Sequence, residues 1–410
     1  MTAQLFVLEL GRAMHALGSP SYRVEDTMDA CCRALGLDGS FFSTPTAIFA
    51  AIGPRGSEPK TTLLRVVPGD HDLGRLAALY AIRDAVVQAR TLPEQGLLQV
   101  RDILDHPPRQ RPWADPLAHA LAGAGAAVLF QGGSLEVVFA SLAGLVVGLI
   151  GRVARLRPGL GDVQAPVACA LVAFLVHAGA RFGLQLDPTV TTVAAIVVLL
   201  PGLSFTTALA ELAMRHLAAG SARLLGTLAV LLTMVVGVGI GDRCAELWFG
   251  RVTTVPGPEL PFAGHLLALA ATWLAYVILL RATRRQVGWI LLAVGIGYGG
   301  ARLGGALLTP ELGAFVGALA VAASANLYAR WRRQPAAVVR TPGLLLLVPG
   351  SLGFRGLTTA VAGDASASVP FLMQMLLVGG AIVAGLLMAG VLLPPPLDVE
   401  PDSRWRGPIR

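Results

Sequence analysis

Charge is the first thing this sequence lacks. Only 14% of its 410 residues are Asp, Glu, Lys or Arg, against about 25% in soluble domains, which excludes a chain folded wholly in water. In their place stand apolar residues, 54% of the total, with a mean hydropathy of +0.66. Aromatics are scarce at 6%, and no basic face with interleaved rings appears, so nucleic acid is not an expected partner. Cysteine is scarce too. Cys31, Cys32, Cys169 and Cys244 fit neither a disulfide framework nor a metal-ligand spacing. The opening "MTAQLFVLELGRAMHALG" carries Glu9, Arg12 and His15 within its apolar pattern, which describes an amphipathic helix rather than the uninterrupted core of a signal peptide.

The little charge present is unevenly spread. Residues 1–116 hold 12 basic and 13 acidic residues, whereas 117–410 hold 20 Arg against 12 Asp and Glu. The near-neutral part reads as a small α+β domain over 1–105. Helix-period segments over about 2–17 and 22–35 are stopped by Gly18 and Gly36. "PTAIFAAIG" and "KTTLLRVV" look like two short strands joined by the turn-rich "PRGSEP". Two further helices follow, over about 71–90 and 94–105. "HPPRQRPWADP" (106–116) is a proline-rich linker.

From Leu117 onward ten apolar segments follow, at about 117–132, 134–150, 163–182, 190–209, 222–241, 261–280, 287–303, 311–328, 341–361 and 371–393. Several fall short of the roughly 20 residues that span a bilayer. An even number of spans with both termini inside leaves fifteen arginines on inner loops and the 394–410 tail. Five stay outside: Arg181, Arg243, Arg251, Arg302 and Arg355. That positive-inside bias makes the N-terminal domain and the tail cytoplasmic. The expected fold is a polytopic α-helical membrane protein with an N-terminal cytoplasmic domain.

Two runs, "LLPGLSFTTALAELA" and "LLVPGSLGFRGLTTAV", place Pro201–Gly202 and Pro349–Gly350 in mid-segment. The two prolines are 148 residues apart, and a shift of 148 brings each of the first five segments within a few residues of one of the last five. Two five-helix units follow, 117–241 and 261–393. An odd number of spans per unit forces the second to enter the membrane inverted, a recurring transporter design with substrate at the midplane between broken helices. Each break opens a new helix N-terminus with free N–H groups and a positive dipole end, so a carboxylate between the two ends is the expected pose. The substrate-binding candidates are Pro201, Gly202, Ser204, Thr207, Pro349, Gly350, Ser351 and Arg355. The bland alternative is a pair of proline kinks satisfied by neighbouring helices.

Arg355 lies within a span, where an arginine is a functional candidate and its fork suits a carboxylate; the alternative is snorkelling to the interface. His177 and Asp187 are the proton-coupling candidates, with an Arg181–Asp187 ion pair as the structural alternative. Glu136 and Glu211 read as interfacial. His15, Ser21 and nearby acids of the N-terminal domain come without a nucleophile elbow or oxyanion glycines, which favours a regulatory or gating role there over catalysis.

"GRAMHALGSPSYRVEDTMDACCRALGL", "FFSTPTAIFAAIG" and the two Pro-Gly motifs resemble the threonine/serine exporter (ThrE) family over nearly the whole chain. The resemblance implies a bacterial inner-membrane antiporter rather than an enzyme, exporting small hydroxy amino acids on the proton gradient, without cofactor or metal. The family also occurs as two polypeptides, and one such split pair is associated with succinate export. The substrate is therefore open between threonine or serine and a dicarboxylate, and a homo-oligomer is open as well. The rival from another class is a membrane-anchored cytoplasmic enzyme or sensor with the helices as platform.

Overall fold

The computed structural model describes residues 2–106, 111–157, 159–182, 186–250, 258 and 260–395. Arg251, Arg404, Arg406 and Arg410 of the charge count, part of the 106–116 stretch and the tail beyond residue 395 lie outside the described residues.

The N-terminal unit runs α1 (Thr2–Ala16), α2 (Ser21–Ala34), β1 (Leu37–Thr44), β2 (Ala47–Pro54), β3 (Lys60–Arg65), α3 (Leu73–Val87) and α4 (Pro93–Asp105). The helix stops are the glycines expected: Gly18 and Gly36 take φ of +83° and +71°, where a Cβ is strained. Phe6, Leu10, Met14, Met28, Ile48, Leu79 and Val100 share one buried cluster, so helices and sheet close over a single core. The sheet has three strands in the antiparallel order β1-β2-β3, not two. The additional strand, "LDGSFFST", is an edge strand whose Gly39, Ser40 and Ser43 dilute the alternation that marks a buried one.

The remainder is helical. The first set is α5 (Ala114–Leu129), α6 (Ser134–Leu156), α7 (Gln164–Arg181), α8 (Pro188–Ala195), α9 (Gly202–Ala213) and α10 (Leu217–Phe249). The second is α11 (Phe262–Leu279), α12 (Val287–Leu307), α13 (Pro310–Arg332), α14 (Ala337–Leu345), α15 (Gly350–Val361) and α16 (Ala365–Leu392). Several starts are chemically marked. Asp187 caps α8, Thr309 caps α13 and Asp364 caps α16, and proline sits in the first turn of α8 and α13.

Among the described residues, eight segments are long and apolar enough to cross a membrane, with α14 and α15 taken together as one. The pair α8–α9, bent by 56°, makes a ninth. The tenth expected segment is α5, whose 16 residues rise about 24 Å, short of a 30 Å hydrocarbon core. At the other extreme, α10 runs for 33 residues where a segment of 222–241 was expected; the polar residues at its ends do not stop a helix whose flanks pack on protein.

Helix pairs close on small residues. A Cβ on Gly144 would lie 3.4 Å from the Ala120 Cα, on Gly300 2.9 Å from the Gly317 Cα, and on Gly385 2.7 Å from the Phe315 carbonyl oxygen. Backbone therefore meets backbone at α5–α6, α12–α13 and α13–α16, as in membrane bundles without a hydrophobic drive between helices. α5 packs against α11, α9 against α16, and α15 against α10, so first helix meets first helix and each broken helix meets the last helix of the other set. The two sets are not copies in every contact: α5 packs closely on α6, whereas α11 touches α12 little.

Two imidazoles pack into the N-terminal unit, His15 buried and His71 half-buried. His15 places Nε2 2.8 Å from the Thr44 carbonyl, and the His71 ring sits against Gly18. Burial pushes both below the ordinary histidine pKa of about 6.5. A lowered folded value gives stability that is present above 6.5 and lost as pH falls through the folded pKa. Thermal unfolding of the full chain is therefore expected at a lower temperature at about pH 5.5 than at about pH 7.5, with His15→Gln reducing the difference. A midpoint equal at both pH values would contradict this.

Candidate functional site at two broken helices

At the first break α8 ends at Ala195, a 3-10 turn covers Val197–Leu199, and Pro201 (φ −80°, ψ 41°) opens α9. At the second, α14 ends at Leu345 and Pro349 (φ −85°, ψ 30°) opens α15. No side chain caps either new N-terminus.

The breaks meet. A Cβ on Gly202 would lie 3.1 Å from the Gly350 amide nitrogen, and one on Gly350 3.0 Å from the Gly202 Cα. The two helix ends abut, with no gap between the Gly202 and Gly350 backbones. Two positive dipole ends converge on one point of the bundle.

Five residues beyond the crossing the two broken helices differ. Thr207 is five positions past Gly202, and Arg355 five past Gly350. Thr207, with Leu203 and Thr206, lines a cavity of 580 Å³ that opens toward the N-terminal unit. Its far walls come from Arg23 and His71, from Arg330 in the last turn of α13 and Arg333 just after it, and from Arg340 and Thr341 of α14. Asp84, the carboxylate on the lining, is held by Arg83 at 2.7 Å. The cavity is thus strongly cationic. It combines segments around 20, 80, 205 and 335, of which the first and third lie in motifs singled out in the sequence and the other two do not.

Arg355 lies on the opposite side of the crossing. Its Nε and Nη2 atoms are buried with no hydrogen-bond partner among the described residues, and its guanidinium sits 5.3 Å from the centre of the Phe130 ring, a cation–π arrangement. Asp187 is the carboxylate whose charge reaches it. Asp187 itself accepts from the Thr189 and Val190 amides at 2.8 and 3.0 Å, and its own N–H donates to Glu136 at 3.0 Å.

The expected Arg181–Asp187 pair does not form. Arg181 donates to the Phe249 carbonyl at 2.9 Å and His177 Nε2 lies 3.2 Å from the Gly250 carbonyl. Both hold the C-terminal end of α10, whose free carbonyls attract donors. His177 therefore faces α10, with Asp242 within electrostatic reach, and Asp242 was not among the sequence candidates. Of the hydroxyls, Thr206 bonds the Gly202 carbonyl and Thr358 and Thr359 bond that of Arg355. Ser204, Thr207 and Ser351 are half-buried.

Glu136 and Glu211, read from the sequence as interfacial, are both buried within the protein. Glu211, on α9, accepts from Arg223 Nε and Nη2 at 2.9 Å each, and from the Ser21 amide at 3.0 Å. Pro20 cannot cap α2, so a carboxylate from the broken helix does it. His216 lies 3.5 Å from Glu25 beside this contact, and burial raises the Glu25 carboxyl above its usual range. A second tie joins α3 to the α11–α12 turn, where the Leu73 amide donates to the Leu280 carbonyl at 2.9 Å.

Comparison with known proteins bears on this arrangement. A family model described as "Putative threonine/serine exporter" matches residues 5–244, and a second, "Threonine/Serine exporter, ThrE", matches 265–392. The chain belongs to the threonine/serine exporter family. Both of the family's parts lie in one polypeptide. A "Probable threonine/serine exporter" of Mycobacterium tuberculosis is 27% identical over 87% of this chain and 70% of its own length. A "Pheromone-regulated membrane protein 10" of Candida albicans is 25% identical over 96% of this chain. The chain spans 38% of that fungal relative, and no solved structure matches.

The Gly202–Gly350 contact makes a direct test. Gly350→Val puts methyl groups where the Gly202 backbone lies, and overpacking of that kind costs about 1–3 kcal/mol. It is expected to lower the unfolding temperature more than Gly380→Val on α16, where a Cβ meets open space. Equal effects would mean that the breaks do not touch. Separately, Glu211→Gln is expected to destabilise by about 3 kcal/mol, because Arg223 loses its buried partner, and to speed amide exchange at Ser21.

Proposed function

We propose that this member of the threonine/serine exporter family is a secondary active exporter of small hydroxy amino acids, coupled to protons as an antiporter. The membrane is the bacterial inner membrane, the N-terminal unit and both termini face the cytoplasm, and ten segments cross it as two inverted five-helix units. The charge asymmetry of the loops supports the orientation. The 148-residue offset supports the repeat, as do the reciprocal pairings of α9 with α16 and α15 with α10.

One observation carries the reading. Two helices broken at Pro-Gly meet at Gly202 and Gly350, and a cavity runs from the N-terminal unit to the first of them at Thr207. On this reading the conformation is open to the cytoplasm. Substrate enters through the cationic cavity, turns its carboxylate to the first-turn amides past Pro201 and Pro349, and engages Ser204, Thr207 and Ser351. Arg355 and Asp187 close the opposite side, and Arg355 takes the carboxylate when access switches. His177 with Asp242, or Asp187, carries the proton. A second reading, dicarboxylate export with succinate as the case, is favoured by the cavity wall, where Arg23, Arg330, Arg333 and Arg340 face one engaged carboxylate.

The test is accumulation of threonine and of succinate in sealed inside-out vesicles, with and without an imposed pH gradient. Wild type is expected to concentrate one of the two only with the gradient, and Arg355→Ala to lose about 10-fold or more of that rate. Uptake independent of the gradient would replace the antiporter by a channel. No uptake of either solute would leave the membrane-anchored enzyme or sensor.

A further inference from the structure

A second cavity, of 650 Å³, lies where α3 of the N-terminal unit meets the α11–α12 turn and the end of α13. Among the described residues three arginines line it, Arg284, Arg285 and Arg332, and no carboxylate does. Their neighbour Arg281 is engaged by Asp70 at 3.2 Å and Asp72 at 3.7 Å. Arg284 and Arg285 have no hydrogen bond or ion pair among the described residues, and both are exposed. Leaving like charges together without a counter-charge is unfavourable unless an anion is supplied from outside.

The position says what kind of anion. α12 starts at Val287 and α13 ends at Arg332, and both are long and apolar enough to span. The cavity therefore sits at the level where hydrocarbon gives way to headgroups. Aromatic rings mark the same level. Trp289 and Tyr328 line the cavity with ring centres 4.8 Å apart, and Trp331 stands edge-on to Trp289 at 6.0 Å. Trp331 is 70% exposed, as an interfacial anchor is. On the opposite wall α3 presents Gly74, Ala77 and Ala78, small residues that leave room for a headgroup.

The geometry points to a binding site for the headgroup of an anionic phospholipid, its phosphate held by Arg284, Arg285 and Arg332 and its upper acyl chain against Trp289 and Tyr328. Guanidinium forks suit phosphate oxygens, and basic pockets between helices at this depth take anionic headgroups. A lipid there touches α3 and the bundle together, beside the Gln286 side chain that donates to the Leu73 carbonyl at 3.2 Å. It fastens the N-terminal unit to the membrane part independently of the Glu211 contact.

The test reconstitutes the full chain in phosphatidylcholine bilayers with and without phosphatidylglycerol, reading lipid retained after extraction by native mass spectrometry and the unfolding temperature. Wild type is expected to retain phosphatidylglycerol and to unfold at a higher temperature with it. R284Q/R285Q/R332Q is expected to lose retention, each arginine counting for about 5-fold, while R152Q/R157Q at the end of α6 behaves as wild type. Should the triple variant not fold, the three single substitutions and the triple Arg→Lys variant, which keeps charge but not the fork, carry the same comparison. Retention unchanged in the Gln variants overturns the site. Equal loss in R152Q/R157Q reduces it to general surface charge, and equal stabilisation by inorganic phosphate makes it a free-anion site.

Discussion

A helix interrupted inside a bilayer leaves amide and carbonyl groups that hydrocarbon cannot solvate, so an interruption there must be covered by protein. Here each interruption covers the other. Pro201 and Pro349 end the hydrogen-bond ladder, and Gly202 and Gly350 let the two opened turns come into backbone contact. Much else follows from that contact. Phe205 and Phe354, three and four residues on, are buried in one cluster with α7 and α10. The long helices α10 and α16 flank the crossing, each packed on both broken helices. A single pair of side-chain-free residues thus fixes where four helices converge.

The two sides of the crossing are chemically unlike although the breaks are alike. At one position the residue is Thr207 beside a cationic cavity; at the corresponding position it is Arg355, pressed on Phe130 with Asp187 near. An alternating-access transporter needs such inequality in any one state, because one path must be open while the other is closed. The N-terminal unit borders the cavity, tied to α9 through Glu211 and to the α11–α12 turn through Leu73, so it rests on both sets of helices.

Features carried by local pattern were legible in the sequence. The apolar segments, the glycine stops of α1 and α2 and the Pro-Gly breaks all follow from composition and spacing within a few tens of residues. What stayed hidden depends on partners far away in the chain. The partners of Glu211, Arg223 and the uncapped start of α2, lie 12 and 190 residues away. Arg181 and Asp187, six residues apart, look like a pair, yet each serves a helix end: Arg181 that of α10, Asp187 that of α8. β1 is obscured in the sequence by Gly39, Ser40 and Ser43, whereas β3, also an edge strand, keeps a run of Thr and Leu. The cavity joins four separate segments, and neither of the two that lie in quoted motifs shows that the others come to it.

The cap on α2 also has a use. Its first turn is completed by a carboxylate that belongs to α9, so the order of Ser21 and the position of a helix two hundred residues later are one equilibrium read from two places. By reciprocity, whatever repositions α9 must alter the local stability of α2 by the same free energy. The N-terminal unit is in that sense a gauge fitted to the outside of the bundle, and its amide at Ser21 is the needle.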